Sequence, residues 1–328
     1  PLTRFFGPVS VLTGALVLGF YSVVGGWCTH YLLASLTGNL AADDPQALRA
    51  AFEAFAADPY EAAGCHVLFL SATALVVLAG VQKGIERVGK VLMPLLFILM
   101  LVLIGRGLTL PGAMEGVKFL FKPDWEAFTG EALLNAMGFA FFSLSVGSGS
   151  MMNYGSYLSK DVNIGPATLW IVVLAVMASV LGGLMIMPAV FAFGLSPDAG
   201  PGLTFATMPA VFSHMPLGSF FAVLFFLSLF VAALTSAISI LEMASQHFVD
   251  RHGFTRRNAV LLVSTGLGIL GVFCALSFGP LNHVKLFGLT LFEGLDYLTS
   301  NIGMPLGCLG IAVVGCWTAW PAIRTELT

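Results

Sequence analysis

The stretch that decides the fold is a run of ten residues in mid-chain, Phe141-Phe142-Ser143-Leu144-Ser145-Val146-Gly147-Ser148-Gly149-Ser150. Serines and glycines interrupt what is otherwise an apolar segment of membrane-spanning length. Hydrocarbon offers no hydrogen-bonding partner to loose backbone, so backbone that leaves the helix at this depth must line a cavity or bind something. We therefore expect the helix to break here and the functional site to lie at the break.

The composition of the whole chain indicates a membrane protein. Of its 328 residues, 58% are hydrophobic and only 9% are charged, against about 25% charged in soluble domains. Apolar runs of about 18 residues or more recur along the chain, and each is long enough to cross the hydrocarbon core. The formal net charge of −3 gives no sign of nucleic-acid binding. The predicted fold class is an all-α polytopic membrane protein in contact with the lipid bilayer.

We predict eight spans, of which the fourth is broken in mid-membrane. Their ranges are 9–36, 65–82, 88–107, 127–158, 166–194, 217–248, 257–278 and 294–318. The sixth span carries a second run of small and hydroxyl residues, 232–239, which predicts either a second break or a close helix contact. The six histidines fall at span ends or in loops, and we interpret them as interfacial polar residues.

The basic residues predict the orientation of these spans. Nine of the fourteen Lys and Arg residues fall in one set of connections: Arg4, Lys83, Arg87, Lys90, Lys160, Arg251, Arg256, Arg257 and Arg324. Cytoplasmic connections are enriched in Lys and Arg, so we expect this set and both chain ends to face the cytoplasm. The expected location is the inner (plasma) membrane of a cell.

Three groups of residues, taken together, resemble one known family. They are Tyr21-Ser22-Val23-Val24-Gly25-Gly26-Trp27 in the first span, Phe141–Gly147 with Tyr154-Gly155-Ser156-Tyr157-Leu158 in the fourth, and Ala232-Ala233-Leu234-Thr235-Ser236 in the sixth. In this order and spacing they resemble the neurotransmitter:sodium symporter family, bacterial branch, over essentially the whole chain. The resemblance implies a leucine-transporter-like fold of two inverted five-helix repeats.

The same resemblance implies a partial chain in a single membrane domain, 1–328. Residues 1–107 would be the remainder of the first repeat, family helices 3–5, and residues 127–318 the second repeat, family helices 6–10. The chain begins at Pro1, has no initiator Met and shows no signal-peptide pattern. We expect a piece of a longer protein, without the first two helices and the C-terminal end of the family.

The family motifs imply a substrate site shared by three spans. The residues expected to bind substrate are Tyr21, Phe142, Ser145, Ser148, Ser236 and Ile240. Tyr21 matches the gating tyrosine that bonds the substrate carboxylate; the alternative is a tyrosine at the membrane interface. Family members for small aliphatic substrates tend to carry an aromatic ring at the position of Ser148. A serine there predicts a wider pocket and a bulky amino acid.

The resemblance also implies two sodium sites. Ser143 matches a hydroxyl ligand of the first site, while Ala232 (through its carbonyl), Thr235 and Ser236 match the second. Hydroxyl and carbonyl oxygens are ligands that hard cations favour. The alternative for these hydroxyls is hydrogen bonding to their own helix.

The fifth span departs from the family pattern at one ion ligand. Ala175 falls where the family carries an Asn or Asp, and alanine has no side-chain oxygen, so the first sodium site and the sodium stoichiometry stay open. Ser179, one turn later, matches a position that contributes to chloride binding in chloride-dependent members. Chloride dependence therefore also stays open.

Three further residues match gates of the family. Asp296 matches the acid of the extracellular gate, and Asp250, with Tyr157 beside it, matches the intracellular gate. The alternative for Asp250 is a plain helix-end charge beside Arg251. Glu242 lies deeper in the sixth span, where an acid must be paired or protonated, and we interpret it as structural support.

The function implied by the resemblance is sodium-coupled symport of amino acids or related small zwitterions by alternating access. The alternative is a truncated, transport-inactive fragment or scaffold of such a transporter. A membrane enzyme is not supported, because the chain has no HExxH motif and no clustered nucleophile, base and acid.

Overall fold

A computed structural model describes residues 2–38, 45–126, 128–159, 162–195 and 201–318, together with residues 197 and 320. The α-helices of this part are α1 (Leu2–Thr37), α2 (Pro45–Ala57), α3 (Pro59–Leu78), α4 (Arg87–Leu108), α5 (Ala113–Phe121), α6 (Gly130–Ser143), α7 (Ser150–Gly155), α8 (Ile164–Ala192), α9 (Met208–Ser213), α10 (Gly218–His252), α11 (Arg256–Leu276), α12 (Leu291–Tyr297) and α13 (Met304–Val313). Short π-helices are Val81–Glu86, Leu203–Thr207, Leu298–Gly303 and Val314–Thr318. Lys160 and Arg324 of the predicted cytoplasmic set lie outside the described residues.

Six helices of the described part are long and apolar enough to cross a membrane: α1, α3, α4, α8, α10 and α11. They coincide with six of the eight predicted spans. The other two predicted spans are present as segmented helices. The fourth consists of α6 and α7, and the eighth consists of α12, a π-helical turn and α13.

The fourth span breaks where the sequence predicts. Helix α6 ends at Ser143 and α7 begins at Ser150. Between them the backbone takes positive φ angles at Ser145 (51°), Gly147 (92°) and Gly149 (82°). A residue other than glycine is uncommon in this region, and such a conformation persists only where the surroundings hold it. The break is therefore a fixed part of the fold.

The sixth span has no break, so that alternative for residues 232–239 is wrong. Helix α10 is continuous, and the hydroxyls of Thr235 and Ser239 bond to their own helix. Thr235 Oγ1 donates to the carbonyl oxygens of Val231 and Ala232, each at 3.0 Å, and Ser239 Oγ donates to the Thr235 carbonyl at 3.1 Å. A hydroxyl paired in this way can face hydrocarbon or a close neighbour without unwinding the helix.

Helix α1 is the central helix, and α10 lies antiparallel along it. A Cβ added to Gly14 would overlap the end of the Met243 side chain, and the Tyr21 phenol interacts with the Ser236 side chain. One antiparallel register accounts for both pairs, because the second pair is seven residues from the first on each helix. The two helices therefore face each other level by level.

Helix α13 also runs antiparallel to α1 and approaches it through glycines. Gly303, just before α13, faces Thr13, and along α13 Gly307 faces Ser10 and Gly310 faces Phe6. Small residues let helix backbones approach closely in a membrane. Close contact with α1 therefore fixes the height of α13 relative to α10.

His66 is not interfacial, so the prediction for this histidine is wrong. Its side chain is fully buried in α3, and Nε2 lies 3.1 Å from the Gly268 carbonyl oxygen of α11. A Cβ on Gly271 would come within 2.6 Å of the same nitrogen. The imidazole thus fills the space that Gly271 leaves between α3 and α11. Its Nε2 finds a partner in the Gly268 carbonyl there, as a buried polar group usually does.

Candidate functional site

A cavity of about 310 Å³ lies where α1, the break, α8, α10 and α13 meet. Its lining residues are Gly14, Val17, Tyr21, Phe139, Phe142, Ser143, Ser145, Ser148, Ala175, Ala178, Ser179, Ser236, Ile240 and Met304. All six residues expected to bind substrate are among them. The fold thus brings together residues from three spans that are far apart in sequence.

The cavity has the facing hydroxyls of Tyr21 and Ser236 at one end and Gly14 at the other. Tyr21 and Ser236 interact at one level of the α1–α10 pair, and Val17 and Ile240 follow one turn further along each helix. Gly14 lies seven residues from Tyr21, which is about 10 Å along an α-helix. A polar group and an apolar group of one small molecule could therefore bind at opposite ends of the same cavity.

Ser143 is the last residue of α6 and lines the cavity. The C-terminal end of a helix carries a partial negative charge from its unpaired carbonyl groups. A cation beside Ser143 would meet this partial charge as well as the hydroxyl oxygen. The Ser148 hydroxyl is less available, because it donates to the Ser145 carbonyl at 3.0 Å and lies 3.1 Å from Ser150 Oγ.

Thr235 lines a second cavity of about 330 Å³, which adjoins the first one. The two cavities share Ser145, Ser236 and Ile240. The Ala232 carbonyl accepts the Thr235 hydroxyl proton at 3.0 Å, so these two oxygens are neighbours although Ala232 lines neither cavity. Each oxygen keeps a lone pair after this hydrogen bond, as a cation ligand must.

Ser179 is placed on the α8 wall of the first cavity together with Ala175 and Ala178. Its hydroxyl donates to the Ala175 carbonyl at 3.0 Å, one turn earlier in the same helix. A bound anion needs hydrogen-bond donors, and the described α8 residues of this wall have no donor beyond this hydroxyl.

Tyr157 and Asp250 form hydrogen bonds with different residues. Tyr157 Oη donates to Glu242 Oε1 at 2.9 Å, whereas Asp250 accepts from Gln246 Nε2 at 2.7 Å on its own helix. The physical reason is burial: Glu242 is fully buried and takes the nearest donors, while Asp250 is exposed and has water. Asp250 lines a third cavity, of about 840 Å³, with Arg251.

Glu242 is paired with Arg256, a partner that the sequence analysis counts only as a loop charge. Arg256 Nη2 lies 2.6 Å from Oε2 and Nη1 lies 3.0 Å from Oε1. The same guanidinium donates to the Val77 carbonyl through Nη2 at 2.9 Å and Nε at 3.2 Å. The sequence offers a clue to this pair. Glu242 lies two turns beyond Thr235 inside a span, where an acid must be paired or protonated, and α11 begins with two arginines.

Asp296 lies outside the described lining of these cavities. It is exposed on α12, and its Oδ1 accepts the Ser300 hydroxyl at 2.9 Å. The start of α12 is fixed by a capping box between Thr290 and Glu293.

Five further residues line the first cavity without being expected there: Gly14, Val17, Phe139, Ala178 and Met304. Helical spacing identifies three of them, because Val17 is one turn from Tyr21, Phe139 is one turn from Ser143 and Ala178 precedes Ser179. Gly14 and Met304 depend on how α10 and α13 pack against α1. No local pattern in the sequence gives that packing.

Comparisons with known proteins show which family the chain resembles. A sequence profile of the Sodium:neurotransmitter symporter family matches residues 60–318. The chain is 42% identical to an uncharacterized sodium-dependent transporter of Bacillus subtilis, YhdH, over 309 residues (94% of this chain and 68% of that protein). It is 35% identical to an uncharacterized sodium-dependent transporter of Haemophilus influenzae over 315 residues (94% and 69%).

A solved structure extends the likeness to the fold. The crystal structure of MhsT in complex with L-phenylalanine is 40% identical in sequence and superposes with a TM-score of 0.89. The match covers 97% of this chain and 72% of that one. The fold is therefore the leucine-transporter-like one, with its helices in the same arrangement.

Proposed function

The chain belongs to the sodium:neurotransmitter symporter family, a family of transporters and not of enzymes, and on that premise we propose that it carries an amino acid or a related small zwitterion. It is a multi-pass membrane protein, and its class of activity is sodium-coupled symport of a small molecule. The observation that carries the proposal is the single cavity that contains all six expected substrate residues.

The amphipathic cavity supports an amino acid as the substrate. The carboxylate of the substrate would accept a hydrogen bond from Tyr21, and the side chain of the substrate would point towards Val17 and Gly14. None of the described lining residues is charged. The related MhsT structure contains L-phenylalanine, which agrees with a neutral, bulky side chain.

Two groups of oxygens could receive sodium in this proposal. Ser143 would bind it at the end of α6, inside the substrate cavity. Ala232, Thr235 and Ser236 would bind it on α10, through one carbonyl and two hydroxyls. Ala175 contributes no side-chain oxygen, so we propose that the α10 group carries the stronger coupling. We propose no chloride site at Ser179, because its hydroxyl proton is already used.

The transport cycle would be alternating access across the inner (plasma) membrane, with both chain ends in the cytoplasm. Asp296 would belong to the outer gate, and Asp250 and Tyr157 to the inner one, where Tyr157 acts through Glu242. Sodium would favour one conformation by its differential affinity for the two states. The division into repeats 1–107 and 127–318 is part of the same proposal.

Sodium-dependent uptake of the twenty amino acids tests this function in the full-length protein. We expect uptake of at least one neutral amino acid to rise with external sodium and to show no dependence on chloride. A complete lack of sodium response would contradict symport and support the transport-inactive alternative.

Thr235→Val tests the α10 sodium group. The change removes one ligand oxygen and keeps the shape of the side chain, so we expect the sodium concentration for half-maximal uptake to rise about tenfold or more, as for the loss of about 1.4 kcal/mol. Thr73→Val is the matched control, because Thr73 Oγ1 bonds its own helix in the same way, at 3.0 Å from the Phe69 carbonyl, and lines neither cavity. Equal sodium dependence in both variants would remove Thr235 from the site.

A further inference from the structure

We propose that Met304 closes the end of the substrate cavity that is farthest from Tyr21 and sets the size of the side chain that the protein accepts. The inference rests on the proposed function and assigns specificity to a residue outside the three family motifs. Met304 is the first residue of α13, is only 4% exposed, and lines the cavity.

The packing of three elements brings Met304 to this end of the cavity. Gly303, the residue before α13, faces Thr13 of α1, so Met304 lies beside the Gly14 end of α1 and further from the level of Tyr21. A Cβ added to Gly14 would come within 3.0 Å of the Ser148 carbonyl oxygen. Gly14, Ser148 and Met304 therefore surround the end of the cavity that is farthest from Tyr21.

The backbone of α13 cannot move towards the break to change the size of this end. A Cβ on Gly147 would overlap the Met304 carbonyl and come within 2.9 Å of the Cys308 nitrogen, and a Cβ on Gly307 would overlap the Gly147 carbonyl. The two backbones are already in contact. Space at this end can therefore change only through side chains.

The Met304 side chain is the one that can change this space. Helical side chains point back towards the helix N-terminus, which for Met304 is away from the Gly147 contact and towards the cavity. The Ser148 hydroxyl is held by the Ser145 carbonyl, and Gly14 has no side chain. Methionine is unbranched and flexible, so it can retreat partly for a larger substrate and fill the space beside a smaller one.

The test is a competition series on sodium-dependent uptake by the full-length protein, with alanine, leucine, phenylalanine and tryptophan as neutral competitors of rising size. We expect Met304→Ala to shift the potency ratio of tryptophan to leucine by about tenfold in favour of tryptophan, because one methylene in an apolar pocket is worth about 10- to 200-fold. Met304→Phe should shift the same ratio the other way. Leu306→Ala is the control, since Leu306 is exposed on the same helix.

Three outcomes overturn the proposal. Uptake with an unchanged ratio in both size variants means that Met304 does not set the size limit. An equal loss of potency for every competitor means that Met304 has a structural role. Met304→Leu nearly conserves the volume of the side chain, so it would then show the same loss only weakly. If the unmodified protein shows no sodium-dependent uptake of any amino acid, the proposed function fails and this inference fails with it. If Met304→Ala does not fold, the ratio in Met304→Phe against Met304→Leu decides.

Discussion

The charge of the buried Glu242 carboxylate is balanced by Arg256 from another helix. Arg256 contacts both of its oxygens and also the Val77 carbonyl, so one guanidinium joins α10, α11 and α3. Taking a charge out of water costs several kcal/mol, and the cost is offset only while its partner stays in place. The pair therefore ties stability to one side chain.

Arg256→Met tests that dependence at the level of one residue. It leaves Glu242 buried without a cation, and the loss of one partner of such a pair costs about 3–5 kcal/mol. We expect a clear fall in the thermal unfolding temperature of the purified protein in detergent. Glu242→Gln together with Arg256→Met should recover part of the loss, because no charge is then buried alone.

Arg257→Met is the matched control for this change. Arg257 is the next residue and is exposed. Its removal should change the free energy of unfolding by no more than about 0.5 kcal/mol, so the unfolding temperature should stay nearly the same. Equal stability of the Arg256 and Arg257 variants would show that the ion pair contributes nothing.

Single residues also mark the limit of sequence-based prediction. Tyr21, Ser145 and Ser236 meet in one cavity, as their family motifs imply. The partner of Glu242 and the cavity position of Met304 depend on which helices touch, and the sequence contains no record of those contacts. The sequence wrongly predicts an interfacial position for His66 for the same reason, because the burial of His66 comes from the packing of α3 against α11.

At the scale of elements, the break and α13 form one unit held by backbone contact. Gly147→Ala would force a side chain into the left-handed region, at a cost of about 1–2 kcal/mol, and into the Met304 carbonyl. We expect a lower unfolding temperature and a loss of substrate binding, measured by calorimetry in detergent.

Gly138→Ala is the corresponding control within α6. A Cβ at Gly138 meets nothing within 4 Å, and alanine is favoured over glycine inside a helix by about 1 kcal/mol. The variant should therefore be as stable as the parent or more so. If the Gly147→Ala protein unfolds at the same temperature as the Gly138→Ala protein, the backbone contact between Gly147 and Met304 does not constrain the fold.

The two unusual spans differ in how far the sequence predicts them. The break in the fourth span is predictable, because glycines at 147 and 149 occur with serines where a packed helix needs neither. The hydroxyls of α10 are ambiguous, since back-bonding and unwinding use the same residues. The π-helical turn 298–303 in the eighth span has no signal in the sequence analysed above, and its last residue, Gly303, packs against Thr13.

At the scale of the whole molecule, the connections should lie on fixed sides of the membrane. Tyr60 is 88% exposed at the start of α3, and Phe254 is exposed in the turn between α10 and α11. We expect an impermeant thiol reagent to label Tyr60→Cys on intact cells and Phe254→Cys only after permeabilisation, in a background without native cysteines. The reverse pattern would overturn the proposed orientation.

The order and class of the spans are what the whole sequence predicts best. Hydrophobic length identifies six helices directly, and the family motifs identify the segmented fourth span. The gate roles of Tyr157, Asp250 and Asp296 stay predictions, and the sequence does not give their hydrogen-bond partners, which are Glu242, Gln246 and Ser300. Their contacts depend on side-chain burial, which no single span determines.

The uncharged lining of the cavity between Tyr21 and Met304 has an electrical consequence. A cavity whose described residues are all neutral adds no fixed charge of its own when it opens to one side or the other. An amino-acid zwitterion adds none either. These residues would then add nothing to the charge that is moved in each cycle, whereas sodium adds one charge per ion. Each sodium ion gains about 2.3 kcal/mol per 100 mV of membrane potential, so voltage as well as the ion gradient would drive accumulation.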